Sequence, residues 1–179
     1  MKKIALFLLL LSLSSNAQDK IKWLSFEEAL EAQKEKPKKI FMDAYTDWCG
    51  PCKLLDKNTF GNKYVADYIN ENFYPVKFNA EGDESISYKD FTYTNPNYDS
   101  NRKGRNGVHV LAQALRIDAY PSMVFFDETG NLIQPIKGYL TPTQLEIYLK
   151  LISSDDYKKI VSKEIWEDYQ TNFVGTFQD

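Results

Sequence analysis

Trp48-Cys49-Gly50-Pro51-Cys52 contains the only two cysteines of the 179-residue chain, and its reading decides what the other segments are for. A disulfide across so short a loop removes little entropy from the unfolded chain, so the pair is a poor structural staple. A chemical role is the better reading. At the start of a helix the first cysteine sits among unpaired backbone N–H groups and the positive end of the dipole, which stabilise its thiolate. Cys49 is therefore the candidate nucleophile. Pro51 fits the first helical turn, where its missing N–H is not needed.

Immediately upstream, Ile40-Phe41-Met42-Asp43-Ala44-Tyr45 is an apolar run of strand length, as expected for a strand buried on both faces. Asp43 is the anomaly in it. Two readings are open: a strand-end aspartate that reaches water, or a buried acid, its pKa raised by desolvation, that exchanges protons with the thiols. Downstream, the cysteine helix runs through Leu54 and Leu55 toward Phe60 and stops near Gly61-Asn62. Val65, Tyr68 and Ile69 mark a second helix, and Phe73 to Asn79 the next strand, which Pro75 assigns to an irregular start or a sheet edge.

Composition bounds the rest. The length suits one domain, and 43% hydrophobic with 15% aromatic residues supplies a core. A net charge of −3 argues against nucleic-acid binding, which calls for a basic stripe. Residues 1–17 read as a secretory signal peptide: Lys2 and Lys3, the apolar run Ile4 to Leu11, and a small-residue ending at Ala17. An uncleaved anchor is the alternative, though the run is short for a bilayer. Cleavage after Ala17 leaves a charge of −5 and no cysteine for lipid attachment. Export to the periplasm or beyond gives the pair two fates: it donates its disulfide, or a dedicated electron source keeps it reduced.

Ile21 to Trp23 reads as a short strand, followed by a capping box of Ser25 and Glu28 that opens a helix to about Lys34. From Ala80 to Gly107 the pattern dissolves into a long polar loop whose aromatics (Tyr88, Phe91, Tyr93, Tyr98) favour packing on the body or contact with a partner. Val108 to Ile117 reads as a helix. His109 on its first turn is a surface or capping residue, since two cysteines and one histidine do not make a zinc site. Tyr120-Pro121 precedes the strand Ser122 to Phe126, a turn at Asp127 to Asn131 and a return strand to Ile136. Thr141-Pro142-Thr143-Gln144 caps a last amphipathic helix ending near Ser154. Residues 155–179 suggest one or two short helices with a narrow apolar stripe.

Taken together these elements make an α/β domain over residues 18–154, a central mixed sheet flanked by helices, with an inserted loop at 80–107 and a helical C-terminal extension at 155–179. The chain resembles the thioredoxin superfamily. The resemblance rests on Asp43 six residues before Cys49, the run Trp48 to Lys53, Val76-Lys77-Phe78-Asn79, Tyr120-Pro121 before a strand, and Gly130 and Gly138. Thr59-Phe60 with Val65 to Asn70 and Asn72-Phe73 is similar to the exported branch that includes the soluble C-terminal domains of transmembrane electron-relay reductases. The long loop and the tail depart from a minimal thioredoxin.

The resemblance implies a cis Pro121 and a substrate surface of Trp48, Gly50, Pro51, Tyr120 and Pro121. It implies that Cys49 attacks a substrate disulfide and Cys52 resolves the mixed disulfide, with Asp43 managing the proton on Cys52 and Lys77 tuning Asp43. Gly-Pro between the cysteines is similar to thioredoxin and implies a reductant acting on disulfide-containing proteins and recharged by a membrane electron relay. An isomerase or oxidant is the alternative enzyme, and a binding or chaperone module with an incidental dithiol the alternative of another class. No cofactor and no metal is expected.

Overall fold

The computed structural model describes residues 20–179; the signal-peptide reading of 1–17 lies outside them. Four strands form the sheet in the order β2-β1-β5-β6: β1 (Lys39–Tyr45), β2 (Phe73–Asn79), β5 (Ser122–Phe126) and β6 (Leu132–Lys137). β1 runs parallel to β2 and antiparallel to β5, and β5 antiparallel to β6, so the sheet is mixed. Helices cover both faces, as the sequence predicts. Alternation along β1 sends Ile40, Met42 and Ala44 to the face covered by α1 (Phe26–Glu35) and α4 (Val110–Ala114). Phe41 enters the other face, with α3 (Lys63–Asn72) and α5 (Pro142–Ser153).

Both expected capping boxes form, Ser25 with Glu28 and Thr141 with Gln144, each satisfying backbone donors that a helix start leaves open. α2 (Gly50–Leu54) continues directly into a π-helical turn, Leu55–Phe60, closed by Gly61 N–H donating to the Asp56 carbonyl at 3.0 Å.

Instead of a strand at Ile21 to Trp23 there is a single bridge at Leu24. Its N–H donates to the Pro75 carbonyl at 2.8 Å, and its carbonyl accepts from Lys77 N–H at 3.2 Å. Pro75 thus turns its N-H-less nitrogen to the outer edge of β2, where the ladder asks no donor of it, so the edge reading holds. β6, the other outer strand, also carries a proline, Pro135.

The inserted loop is more ordered than its polarity predicts. It opens with a hairpin, β3 (Ile86–Tyr88) and β4 (Phe91–Tyr93). Tyr88 packs on Phe26 and Phe126, and its hydroxyl donates to the Gly130 carbonyl at 2.8 Å. Two bonds from the buried Asn95 amide then tie the neck of the loop, one to the Gly82 carbonyl (2.9 Å) and one to the Gly107 carbonyl (2.7 Å). Gly107 is required there, because a Cβ would lie 2.5 Å from the Asn97 carbonyl oxygen. The helix expected over 108–117 is shorter. His109 is its N-cap, fully buried, with Nδ1 accepting from Leu111 N–H at 3.1 Å, and Arg116 turns left-handed at φ 59°. The capping half of that reading holds and the surface half does not.

The C-terminal extension forms a 3-10 turn (Asp156–Lys159) and α6 (Lys163–Asn172), with Trp166 stacked on Tyr148 of α5 at 5.6 Å. Its last residues fold back onto Glu146, whose buried carboxylate accepts from the N–H groups of Thr176 (2.6 Å) and Phe177 (3.0 Å) and pairs with Lys150 (2.6 Å).

Candidate functional site

β1 ends at Tyr45 and delivers the chain through a tight turn, closed by Cys49 N–H to the Thr46 carbonyl at 3.1 Å, into α2. Cys49 is the N-cap of that helix, and its Sγ accepts from Cys52 N–H at 3.1 Å. A sulfur that accepts from a helix-start N–H is better able to carry negative charge, which is the polarity a nucleophilic thiolate needs. The two cysteines form a disulfide with Cα atoms 5.3 Å apart, and only 1% of Cys49 and 2% of Cys52 is exposed. Gly50 and Pro51, the first residues of the helix, lie on the surface.

Asp43 is buried, which excludes the water-reaching reading for its side chain. Its Oδ2 lies 2.5 Å from Lys77 Nζ, while Oδ1 is buried without a protein partner among the described residues. Register explains the pairing: Asp43 stands directly opposite Lys77 across the parallel β1–β2 ladder. Burial raises the Asp43 pKa to about 6; the Lys77 charge and hydrogen bond oppose the rise, and the Asp56 carboxylate adds to it. Burial works against the Lys77 ammonium, but the two carboxylates outweigh it and hold its pKa above the ordinary value. Lys77 also pairs with Asp56 and lies over the rings of Tyr45 (4.9 Å) and Trp23 (5.0 Å), which favours the charged form further.

Asp56 was not singled out in the sequence. It follows Cys52 by about one helical turn, so its bond to Lys77 ties the cysteine helix to the Asp43 end of β1. Lys77 is thus shared between two carboxylates, and Asp43 is only partly neutralised.

The Tyr120-Pro121 bond is cis, with Pro121 buried ahead of β5. Tyr120 meets Trp48 edge to face at 6.1 Å between ring centroids, so the two candidate rim residues come together beside Cys49. The other residues that sequence reasoning missed are on the far side of Trp48. Its indole N–H donates to Glu81 Oε2 at 2.7 Å, and the same oxygen accepts from Asn106 N–H at 2.6 Å. Arg105 lies over the Trp48 ring at 4.5 Å. No motif links them to Trp48; the one available signal was the length of the loop that carries all three.

Comparison with known proteins agrees with this geometry. A model of the thioredoxin-like domain matches residues 26–153. The thiol:disulfide interchange protein DsbD of Pectobacterium atrosepticum is 24% identical over 119 residues, covering 65% of this chain and 17% of that protein. The chain spans less than two thirds of the length of the curated relatives it matches. Among solved structures, a candidate disulphide-isomerase from Bacteroides thetaiotaomicron is 31% identical with a TM-score of 0.52, covering 74% of this chain and 93% of that one. A thioredoxin-fold protein from Helicobacter pylori is 20% identical with a TM-score of 0.56, covering 75% and 81%.

Proposed function

The chain belongs to the thioredoxin-like family of thiol–disulfide oxidoreductases, and on that premise we propose that it is an exported protein-disulfide reductant working through Cys49 and Cys52. One observation carries the reading: a buried carboxyl group with a pKa of about 6 and an oxygen without a protein partner among the described residues, tied through Lys77 to the helix of the cysteines. Such a group takes and returns a proton near neutrality, which a structural aspartate has no reason to do.

In the reduced protein, the Cys49 thiolate attacks one sulfur of a substrate disulfide. A Cys49–substrate S–S bond forms, the substrate S–S bond breaks, and the other substrate sulfur leaves as a thiolate. Cys52 passes its proton to Asp43 and attacks Cys49 Sγ, which releases the second substrate thiolate and closes the Cys49–Cys52 disulfide. Two electrons have moved from the protein to the substrate, and the Asp43 proton leaves to a substrate thiolate or to water. Lys77 steadies the Asp43 carboxylate in the deprotonated half of this cycle. Trp48, Gly50, Pro51 and Tyr120 form the surface on which an extended substrate lies, and the buried cis Pro121 sets the backbone that carries Tyr120 there.

Substrates on this reading are disulfide-containing proteins outside the cytoplasm, with a membrane electron relay as the donor that reduces the pair again. The named interchange proteins among the relatives and the signal-like residues 1–17 support it. Among the described residues no helix is long and apolar enough to cross a membrane.

The test is the reduction potential of the pair in the mature protein, equilibrated against glutathione. A value near about −270 mV supports a reductant, whereas one above about −180 mV makes the protein an isomerase or disulfide donor instead. Cys52→Ser produced in cells should accumulate mixed disulfides through Cys49, and the mature N-terminus should read Gln18.

A further inference from the structure

Trp48 stands between two small cavities. One, of about 400 Å³, is lined by Trp48, Tyr120, Glu81, Arg105 and Asp118; the other, of about 200 Å³, lies under Arg102 and Asn106. The inserted loop supplies the outer wall of both. Its placement there is specified by bonds rather than by chance packing, since Glu81 accepts at a single oxygen from Trp48 and from Asn106, and the Asn95 amide closes the neck. The loop and the tryptophan beside the nucleophile therefore share one hydrogen-bonded anchor.

The charges around that anchor are unequally engaged. Each lining carboxylate already has a donor: Glu81 has the indole and backbone N–H, Asp118 has Lys137, and Asp47 has the Asn79 amide at 3.1 Å. The cations are different. Arg102, Lys103 and Arg105 fall within four residues of an acidic chain, all three are exposed, and none is in an ion pair among the described residues. Arg105 is held over Trp48 by its stacking, so its guanidinium edge stays free to bind a carboxylate beside the dithiol.

We propose that Arg105 is a specificity-determining residue, reading an acidic side chain next to the reactive cysteine of the substrate polypeptide. This rests on the oxidoreductase reading above. A substrate segment lying across Trp48 and Tyr120 brings the residues flanking its cysteine under the loop, where the charged groups without an ion pair among the described residues are cationic. Arg102 and Lys103 add a weaker field of the same sign.

The probes are three symmetric disulfide-linked dimers of one single-cysteine pentapeptide, with Glu, Gln or Lys on both sides of the cysteine. Each is reduced by the dithiol form of the full mature protein, and each rate is divided by the rate with dithiothreitol, an uncharged thiol, to remove the effect of the flanking charge on the peptide's own sulfur. The Glu peptide should be favoured over the Lys peptide by about two- to fivefold at low salt, the size of an exposed ion pair. The gap should shrink in about 0.5 M salt. Arg105→Glu should invert the ratio and Arg105→Gln should bring it near one. A ratio that is the same in Arg105→Glu as in the native protein overturns the proposal while leaving the redox reading intact. Failure to reduce any of the three, the Gln peptide included, sinks the redox reading and this proposal with it.

Discussion

Asp43 and Glu146 are each only 1% exposed, yet the protein treats them in opposite ways. Asp43 lies deep between sheet and helix and, among the described residues, has a single shared lysine and keeps one oxygen without a protein partner. Burial lifts its pKa to about 6. Glu146 is covered by the returning C-terminal residues and by Lys150 of its own helix, and burial is the largest influence on it too. There, however, Lys150, Phe177 N–H and Thr176 together outweigh it and hold the pKa below the ordinary glutamate range. Concealment from solvent is therefore not what sets a carboxylate's behaviour. The number of donors it receives, and the depth of protein around it, decide whether it serves as a fastening or as a proton carrier.

The largest effect expected from this contrast is at the fastening. Glu146→Ala removes the acceptor of two backbone N–H groups and the partner of Lys150, and should lower stability at pH 7 by about 3 kcal/mol in urea unfolding. A loss below about 1 kcal/mol would reduce the clasp to a surface contact and end the comparison. Asp43→Asn should act in the other direction, raising the stability of the oxidised protein at pH 7 by about 2 kcal/mol while slowing disulfide reduction. The sign follows from proton binding. A carboxyl raised to about 6 keeps its proton in the folded state where the unfolded chain has lost it, so folding stability falls as pH rises between about 4 and 6. The native protein should show that slope and the Asn variant should lack it.

Glu146 predicts the reverse dependence, because a depressed pKa contributes stability above the ordinary glutamate value that is lost as pH falls through the lowered one. In an NMR titration the Thr176 and Phe177 amides should shift together on acidification, before the sheet amides change. The smallest effect belongs to Asp56→Asn. Removing that charge takes away a repulsion on Asp43 and leaves Lys77 to Asp43 alone, so the Asp43 midpoint should move down in a carboxyl-carbon titration. An upward move would mean that Lys77 follows Asp56 rather than Asp43.

Sequence reasoning located the parts of the molecule whose signals are local. The four sheet strands, the two capping boxes and the Cys49–Cys52 helix each depend on residues within a few positions of one another. Asp43 stood out because a charge interrupts an apolar run, and Lys77 because the resemblance supplied it. The hairpin of β3 and β4 escaped because each strand is three residues long and its stability comes from Tyr88 packing on Phe26 and Phe126, residues remote in the chain. The Glu81 anchor and the Glu146 clasp escaped for the same reason. Glu146 in particular sits on an amphipathic helix whose spacing marks it as an ordinary outward-facing residue until the tail returns to cover it.

The single bridge at Leu24 bears on how copies of this protein behave when crowded. An open strand edge is a template on which another chain can add its backbone, the first step toward aggregates. Beyond β2 that template is used up: Leu24 turns both its N–H and its carbonyl inward to Pro75 and Lys77, and the next N–H, on Ser25, is taken by Glu28 Oε2 at 2.7 Å. The helix cap that starts α1 thus also closes the β2 edge at Leu24, so that a neighbouring molecule seeking an open strand has to meet the sheet at β6 instead.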